Sequence, residues 1–464
     1  MNTIWRTLSE TVLIELNQSA DEGREVRAFA DEARQIFDTC TAGQLREEEA
    51  KNLIDKIRGA PVRADYSYSE PAGIDEIRRQ RPASRFATAA RPDSNAYYDK
   101  VYGAWLGRCA GCLLGQPVEG WRRERITGMA KDTGNHPINR YFSSDVGEDI
   151  RAKYNIQDKG QIYGSSKINW INNVSFMPED DDTNYTILYL RTLEDFGPDF
   201  SSDDVAASWL QNVPIFHVCT AERVAYRNLV NLIAPPLSGS WYNPYREWIG
   251  AQIRADFFGY VNPGNTEQAA EFAWRDGRVS HVKNGIYGEM FCAAMLACAA
   301  VSSDIGEIVR AGLGELPQKS RLTESIEAVR KWRTENISWE AALNRLYETW
   351  DEKNPHHWCH VISNAVICAI ALLWGGGDFE KTIGIAVCAG FDTDCNAATT
   401  GSVIGMITGA SGLPEKWTKP LNNKIKSGID GFGITEISEL AERTVKLAFK
   451  DWGNTIRKSQ AHNA

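Results

Sequence analysis

Apolar residues recur along this chain at the spacing of helices. Over residues 1–60, Val12, Leu13 and Leu16, then Ala28, Ala30, Ala33, Ile36 and Phe37, alternate with charges at helical spacing, which predicts two or three amphipathic helices. Residues 60–94 lose the period and carry four of their number as proline, so they read as an ordered connector or a segment draped over a neighbour. A domain boundary near residue 95 follows, separating a helical extension and connector at 1–95 from a main domain at 96–464. Beyond it, helical patterns predict elements over 97–115, 183–195, 203–211, 218–233, 266–276, 284–302, 304–313, 322–335, 338–348, 357–374, 378–388, 395–409 and 434–450. Two-residue alternation is nearly absent, and the main domain is predicted to be all-α.

Two of these segments carry glycine every fourth residue: Gly103, Gly107, Gly111 and Gly115 in one, Gly401, Gly405 and Gly409 in the other. A glycine inside a helix costs about 1 kcal/mol relative to alanine. A row at i, i+4 forms one ridge, which suits a backbone approach that any Cβ would block, so both helices belong at the centre of the bundle.

The chain has 464 residues, 43% of them hydrophobic, with 15 Trp, enough for a large core. Its formal net charge of -10, with no basic tract, disfavours nucleic acid and anionic membranes as partners. No apolar run reaches the roughly 20 residues that span a bilayer, and the acids near the start do not suit a signal peptide, so a cytoplasmic location is expected. Ten cysteines in mostly apolar helical text read as small core residues. Cys109 and Cys112 have CxxC spacing without a second pair, a weak signal for zinc or redox chemistry.

The chemistry sits in two acidic helix starts. Glu179, Asp180, Asp181 and Asp182 precede "TNYTILYLRTLEDFG", and Asp392 and Asp394 precede a small-residue helix. One acid suffices to cap a helix, and an unpaired buried carboxylate is expensive. Two such starts favour a shared cation, and oxygen ligands without a His or Cys cluster favour a hard one: Mg²⁺, Mn²⁺ or Ca²⁺.

Three segments, "GAWLGRCAGCLLGQPVEG" (103–120), "MPEDDDTNYT" (177–186) and "GFDTDCNAATTGSVIGMITGA" (390–410), together resemble the ADP-ribosylglycohydrolase family, in the family's order. The resemblance implies an all-α orthogonal helical bundle, with the first 95 residues as a helical extension, holding two Mg²⁺ ions, or Mn²⁺. It implies metal ligands at Asp180, Asp181, Asp182, Asp392 and Asp394, with Cys395 where the family commonly has threonine, a position that water or a softer metal can also fill. Asp180 replaces a hydroxyl residue, and Cys112 an aspartate. Glu119 matches the acid beside the metals and is the leading general acid/base, with Asp181 and Asp394 as further catalytic candidates and Glu179 as a bystander. "IGAQIRADFFGY" (249–260) resembles the substrate loop, which implies substrate contacts at Gly250, Ala251 and Arg254, and "WRDGRVSH" (274–281) adds Asp276 and His281.

The implied activity is metal-dependent hydrolysis of the glycosidic bond at the ribose anomeric carbon of ADP-ribosyl adducts, small or protein-linked. Hydrolysis of another ribosyl glycoside and a non-catalytic, ADP-ribose-binding or structural role are the alternatives. The aromatics of "SWYNPYREW" (240–248) either stack on an adenine or order a long loop. The histidines of "NPHHWCH" (354–360) match no family motif. The extension covers one side of the pocket, restricts the acceptor, or completes the core.

Overall fold

The helices Ser94–Gly115 and Thr393–Thr408 lie against each other along their glycines in the computed structural model, which describes residues 7–162 and 165–452. A Cβ on Gly103 would stand 2.5 Å from the carbonyl oxygen of Gly405, and one on Gly107 or Gly111 would overlap the carbonyl of Gly401 or Ala397. In return, a Cβ on Gly401 or Gly405 would overlap the carbonyl of Gly107 or Gly103. The two ridges therefore face each other backbone to backbone, as the four-residue spacing predicts. The last glycine has a functional consequence: Gly115 abuts the backbone of Thr393 and Asp394, which brings the turn at Gln116–Val118, and Glu119 after it, against the second acidic motif.

The fold is all-α, a bundle of helices with two small antiparallel two-stranded sheets among the described residues. The helix Asn284–Ala299 is buried at every position and the helix Val361–Gly375 at nearly every one. The predicted 357–374 helix is broken at His360, giving Pro355–Cys359 and Val361–Gly375. His360 is extended, pairs with Trp248 as an isolated antiparallel bridge, and caps the second helix by accepting the Ile362 N–H on Nδ1 at 3.1 Å. The predicted 434–450 helix begins only at Ile437, because Ile434–Glu436 pairs as a strand with Lys424–Lys426. The ten cysteines are free thiols. No helix among the described residues is long and apolar enough to cross a membrane.

Three N-terminal helices, Leu8–Asp21, Ala30–Thr41 and Glu47–Gly59, enclose an apolar cluster of their own around Val12, Ile36, Leu53 and Ile57. The connector after them is ordered and draped on the main bundle. Ser69 N–H donates to the Lys319 carbonyl at 2.9 Å, Ala89 N–H to the Gly264 carbonyl at 3.0 Å, and the buried Arg81 pairs with Glu315 at 2.9 Å. A short helix, Ile74–Gln80, lies within it and buries Ile77; it is too short for its period to register in the sequence.

Candidate metal centre and active site

The two acidic helix starts are built differently. Asp180 is a working N-cap of the helix Asp181–Phe196: Oδ1 accepts the Asp182 N–H at 2.9 Å, and Oδ2 accepts from Gln116 Nε2 at 2.5 Å. The aspartate thus performs the capping that a hydroxyl would perform there. Asp182 points into the bundle, where Arg108 donates to its carbonyl at 2.6 and 2.9 Å, approaches its Oδ1 at 3.2 Å, and pairs with Asp256 at 2.9 Å. At the second start, Asp392 makes no capping hydrogen bond with its side chain. It follows Gly390 and Phe391 at φ 68° and 57°, a left-handed pair that costs about 1–2 kcal/mol at a phenylalanine. Packing against Tyr347 and full burial hold Phe391 there, and the turn presents Asp392 and Asp394 to the first motif.

The motifs converge. One carboxylate oxygen from each of Asp180, Asp182 and Asp394 and the Sγ of Cys112 lie within 4.8 Å of one another, and Asp392, Asp394 and Cys395 form a second such group. Asp394 belongs to both and joins them. Asp181 is in neither group; it is half-buried beside them, and its charge reaches Glu119, Asp180 and Asp182. Glu179 turns away, bonding the ring of His217 and accepting from Asn184 at 3.2 Å, which fits its reading as a bystander.

The electrostatics call for a cation. Burial, then Asp394, pushes the Asp180 carboxyl well above the usual range; burial and its neighbours do the same to Asp182 and Asp392, and burial moves Asp394 up to about 6. Glu119 is open to solvent although protein surrounds it on most sides, and the charge of Asp394, ahead of burial, pushes its carboxyl well up. Burial and then the aspartates also raise both thiols, Cys112 and Cys395, so both are protonated and weak donors. Oδ2 of Asp182 and Oδ1 of Asp392 and of Asp394 are buried with no hydrogen-bond partner. Unpartnered carboxylate oxygens on residues of two adjoining acidic groups fit a hard divalent cation, which would satisfy them and reverse the repulsion.

The implied substrate residues form a layer behind this site. Arg254 is fully buried; Nε meets Asp276 Oδ2 at 2.6 Å, and Nη1 meets Glu222 Oε1 at 2.5 Å and Ser280 Oγ at 2.9 Å. Asp276 also accepts from Tyr189 at 2.5 Å. His281 lies beside Ser280 Oγ at 2.8 Å and 3.9 Å from Glu222. Gly250 closes on Glu222, whose carboxylate any Cβ at that position would overlap, and Ala251 is buried beneath. Gly250, Ala251, Arg254, Asp276 and His281, and Glu222 with them, are all buried and offer a ligand almost no surface here.

The family model described as ADP-ribosylglycohydrolase matches residues 93–454. The chain belongs to the ADP-ribosylglycohydrolase family. No curated protein matches it. A solved structure, an ADP-ribosylglycohydrolase-related protein complex, is similar at 18% identity and a TM-score of 0.41, over 76% of this chain and 98% of that one.

In this member of the family, several residues of the site escape a reading by motif. Cys112 faces Asp180 and Asp394 where packing alone was expected, and Arg108 and Gln116 hold Asp182 and Asp180. The three fall every four residues beside the glycine ridge. The signal was an arginine in apolar text, which needs a buried anion. Glu222, pushed up to about 7 by burial against the pull of Arg254, comes from the helix Thr220–Val230 with no motif to mark it.

Proposed function

We propose that the protein is a divalent-cation-dependent hydrolase of the glycosidic bond at the ribose anomeric carbon of ADP-ribosyl adducts, with residues 96–464 as the catalytic unit and 1–95 as an extension. The observation that carries this reading is that Asp394 joins two close groups of acidic side chains, Asp180 and Asp182 in one and Asp392 in the other, while Asp182, Asp392 and Asp394 each keep a buried oxygen without a partner. Asp180, Asp181, Asp182, Asp392 and Asp394 would hold two ions, Mg²⁺ or Mn²⁺, with Cys395 as a protonated neighbour or a soft sixth donor. Such ions supply Lewis acidity toward water and toward the vicinal ribose hydroxyls.

The chain's own residues do the rest. Glu119 accepts a proton from the attacking water as its oxygen bonds to the anomeric carbon, and the pair of electrons of the broken bond leaves with the acceptor nitrogen or oxygen, which takes up a proton. The half-buried Asp181 and the shared Asp394 keep negative charge close to the oxocarbenium-like carbon and favour the protonated form of Glu119 for the return transfer. Glu222 and Gly250, buried together with Arg254, Asp276 and His281, would support the substrate side of the site from beneath it.

The test is release of ADP-ribose from arginine-, serine- and O-acetyl-linked substrates and of base from plain nucleosides, with Mg²⁺, Mn²⁺ or chelator. Turnover is expected with a cation and is abolished in Asp392→Ala/Asp394→Ala. Undiminished turnover in that variant rejects the reading, and turnover of nucleosides alone moves the substrate to another ribosyl glycoside.

A further inference from the structure

The helix Leu8–Asp21 lies outside the residues that match the family, yet it grips the segment leading into Gly250. Glu15, Gln18 and Glu22 share one helix face and its end, and they meet consecutive residues of that segment. Arg246 places Nη1 2.9 Å from Glu15 Oε2 and Nε 2.7 Å from Glu22 Oε1, and Gln18 Nε2 donates to Glu247 Oε2 at 2.6 Å. The fourth contact is indirect: Trp248 Nε1 donates to His356 Nδ1 at 3.0 Å, and His356 Nε2 lies 2.9 Å from Asp21. Glu15, Gln18, Glu22, Arg246 and Glu247 are all buried.

Asp21, His356 and His360 lie close enough to suggest a metal site of their own, with their ligand atoms within 4.8 Å. The donors exclude it. Trp248 Nε1–H and the Ile362 N–H can only donate, so Nδ1 of His356 and of His360 accepts, and each neutral ring carries its proton on Nε2, facing Asp21. A metal on Nε2 would require an imidazolate. The cluster is a carboxylate facing two imidazole N–H groups, and it belongs to the clamp.

What the clamp holds bears on the candidate site. Directly after Trp248, Ile249 N–H donates to the Cys359 carbonyl at 2.8 Å, and Gly250 then packs on the Glu222 carboxylate. A shift in Arg246–Trp248 is passed through Ile249 to Gly250 and to the Glu222 carboxylate it packs on. We propose that the first helix is a positioning element for the substrate loop, with Glu15, Gln18 and Glu22 setting the path of residues 246–250 and so the placement of Gly250 and Glu222. This rests on the reading of those two residues as supporting the substrate side of the site.

The test uses the full chain carrying Glu15→Gln/Glu22→Gln, which keeps shape and removes both charges facing Arg246. Amide hydrogen exchange in peptides covering 246–254 is expected to rise about tenfold, with 177–186 and 390–408 unchanged. With the cation and an ADP-ribosyl substrate, KM is expected to rise about tenfold while kcat stays within about twofold. Exchange equal to the parent overturns the proposal, as does kcat falling in step with kcat/KM or an unchanged KM. If the double variant does not fold, Gln18→Ala removes the contact to Glu247 alone and is read by the same two measurements in the same direction. A parent protein without turnover on any ADP-ribosyl substrate rejects the proposed function, and the exchange measurement then still decides whether the helix holds the loop.

Discussion

Two regions of this protein bury several carboxylates, and they treat them in opposite ways. At the junction of the first helix with residues 246–248, each acid meets a donor. Glu15 and Glu22 flank Arg246, and Glu247 receives Arg321 at 2.7 and 2.8 Å as well as Gln18. Burial alone would raise the carboxyls of Glu22 and Glu247, but Arg246 brings Glu22 below its usual range and Arg321 does the same for Glu247. At the two helix starts the aspartates face one another, three of their oxygens have no partner, and the group is pushed up. At the junction every acid is matched as folded, and only Gln18 Oε1 and His360 Nε2 are left there without a partner among the described residues. At the helix starts the carboxylates face one another rather than a donor, and on the proposed function it is unmatched like charge, rather than buried polarity as such, that separates the site from the brace.

The largest effect expected on this comparison comes from Arg108, the buried cation that matches the acidic site from within as Arg246 does the junction. Arg108→Met leaves Asp182 and Asp256 buried without their cation, and urea unfolding should show a loss of about 3–5 kcal/mol. A loss below about 1 kcal/mol would mean that the aspartates relax to solvent and that the two regions do not differ in kind.

A smaller effect, of opposite sign in the two regions, is the pH dependence of thermal unfolding. Asp394 sits at about 6 in the folded chain against an ordinary 3.8, so its contribution is full below about 4 and is lost as pH rises through 6. Glu22 sits at about 2 against 4.5, so its contribution is full above 4.5 and is lost as pH falls through 2. Saturating Mg²⁺ should remove the decline on the alkaline side and leave the acid limb unchanged. An alkaline decline that Mg²⁺ does not touch would break the assignment of the aspartates to a cation.

The smallest effect is an expected absence. Zinc titrated into Asp392→Ala/Asp394→Ala should find no site at Asp21, His356 and His360. Zinc binding that survives in that variant and disappears in His356→Ala would show that the junction, too, is incomplete.

Much of the fold was legible because helix periodicity and glycine spacing are local. Gly103 to Gly115 and Gly401 to Gly409 announced two helices in backbone contact, and they pack on each other. The errors fall where tertiary contact overrides a local pattern. His360 interrupts an apolar run that reads as one helix because its backbone pairs with Trp248, and residues 434–436 join a strand partner across a turn. In the candidate site the acids were legible as motifs, since charged residues in apolar text must be compensated. Their differing roles were not: that Asp180 also serves as a cap and accepts from Gln116 while Asp392 leaves an oxygen without a partner depends on side-chain directions that the spacing does not encode.

By itself, then, the sequence determined the helical class, the two central helices, the acidic helix starts and the family, all of which reside in short stretches whose periodicity and charge carry their own physical constraint. The tertiary structure alone decided that Cys112 and Arg108 face the aspartates, that Arg254 and Asp276 stand behind Glu222, and that Glu15 and Glu22 meet Arg246 from more than two hundred residues away. Those contacts follow from how the helices settle against one another, and hydrogen-bond satisfaction across such separations is a property of the packed chain that no single segment contains.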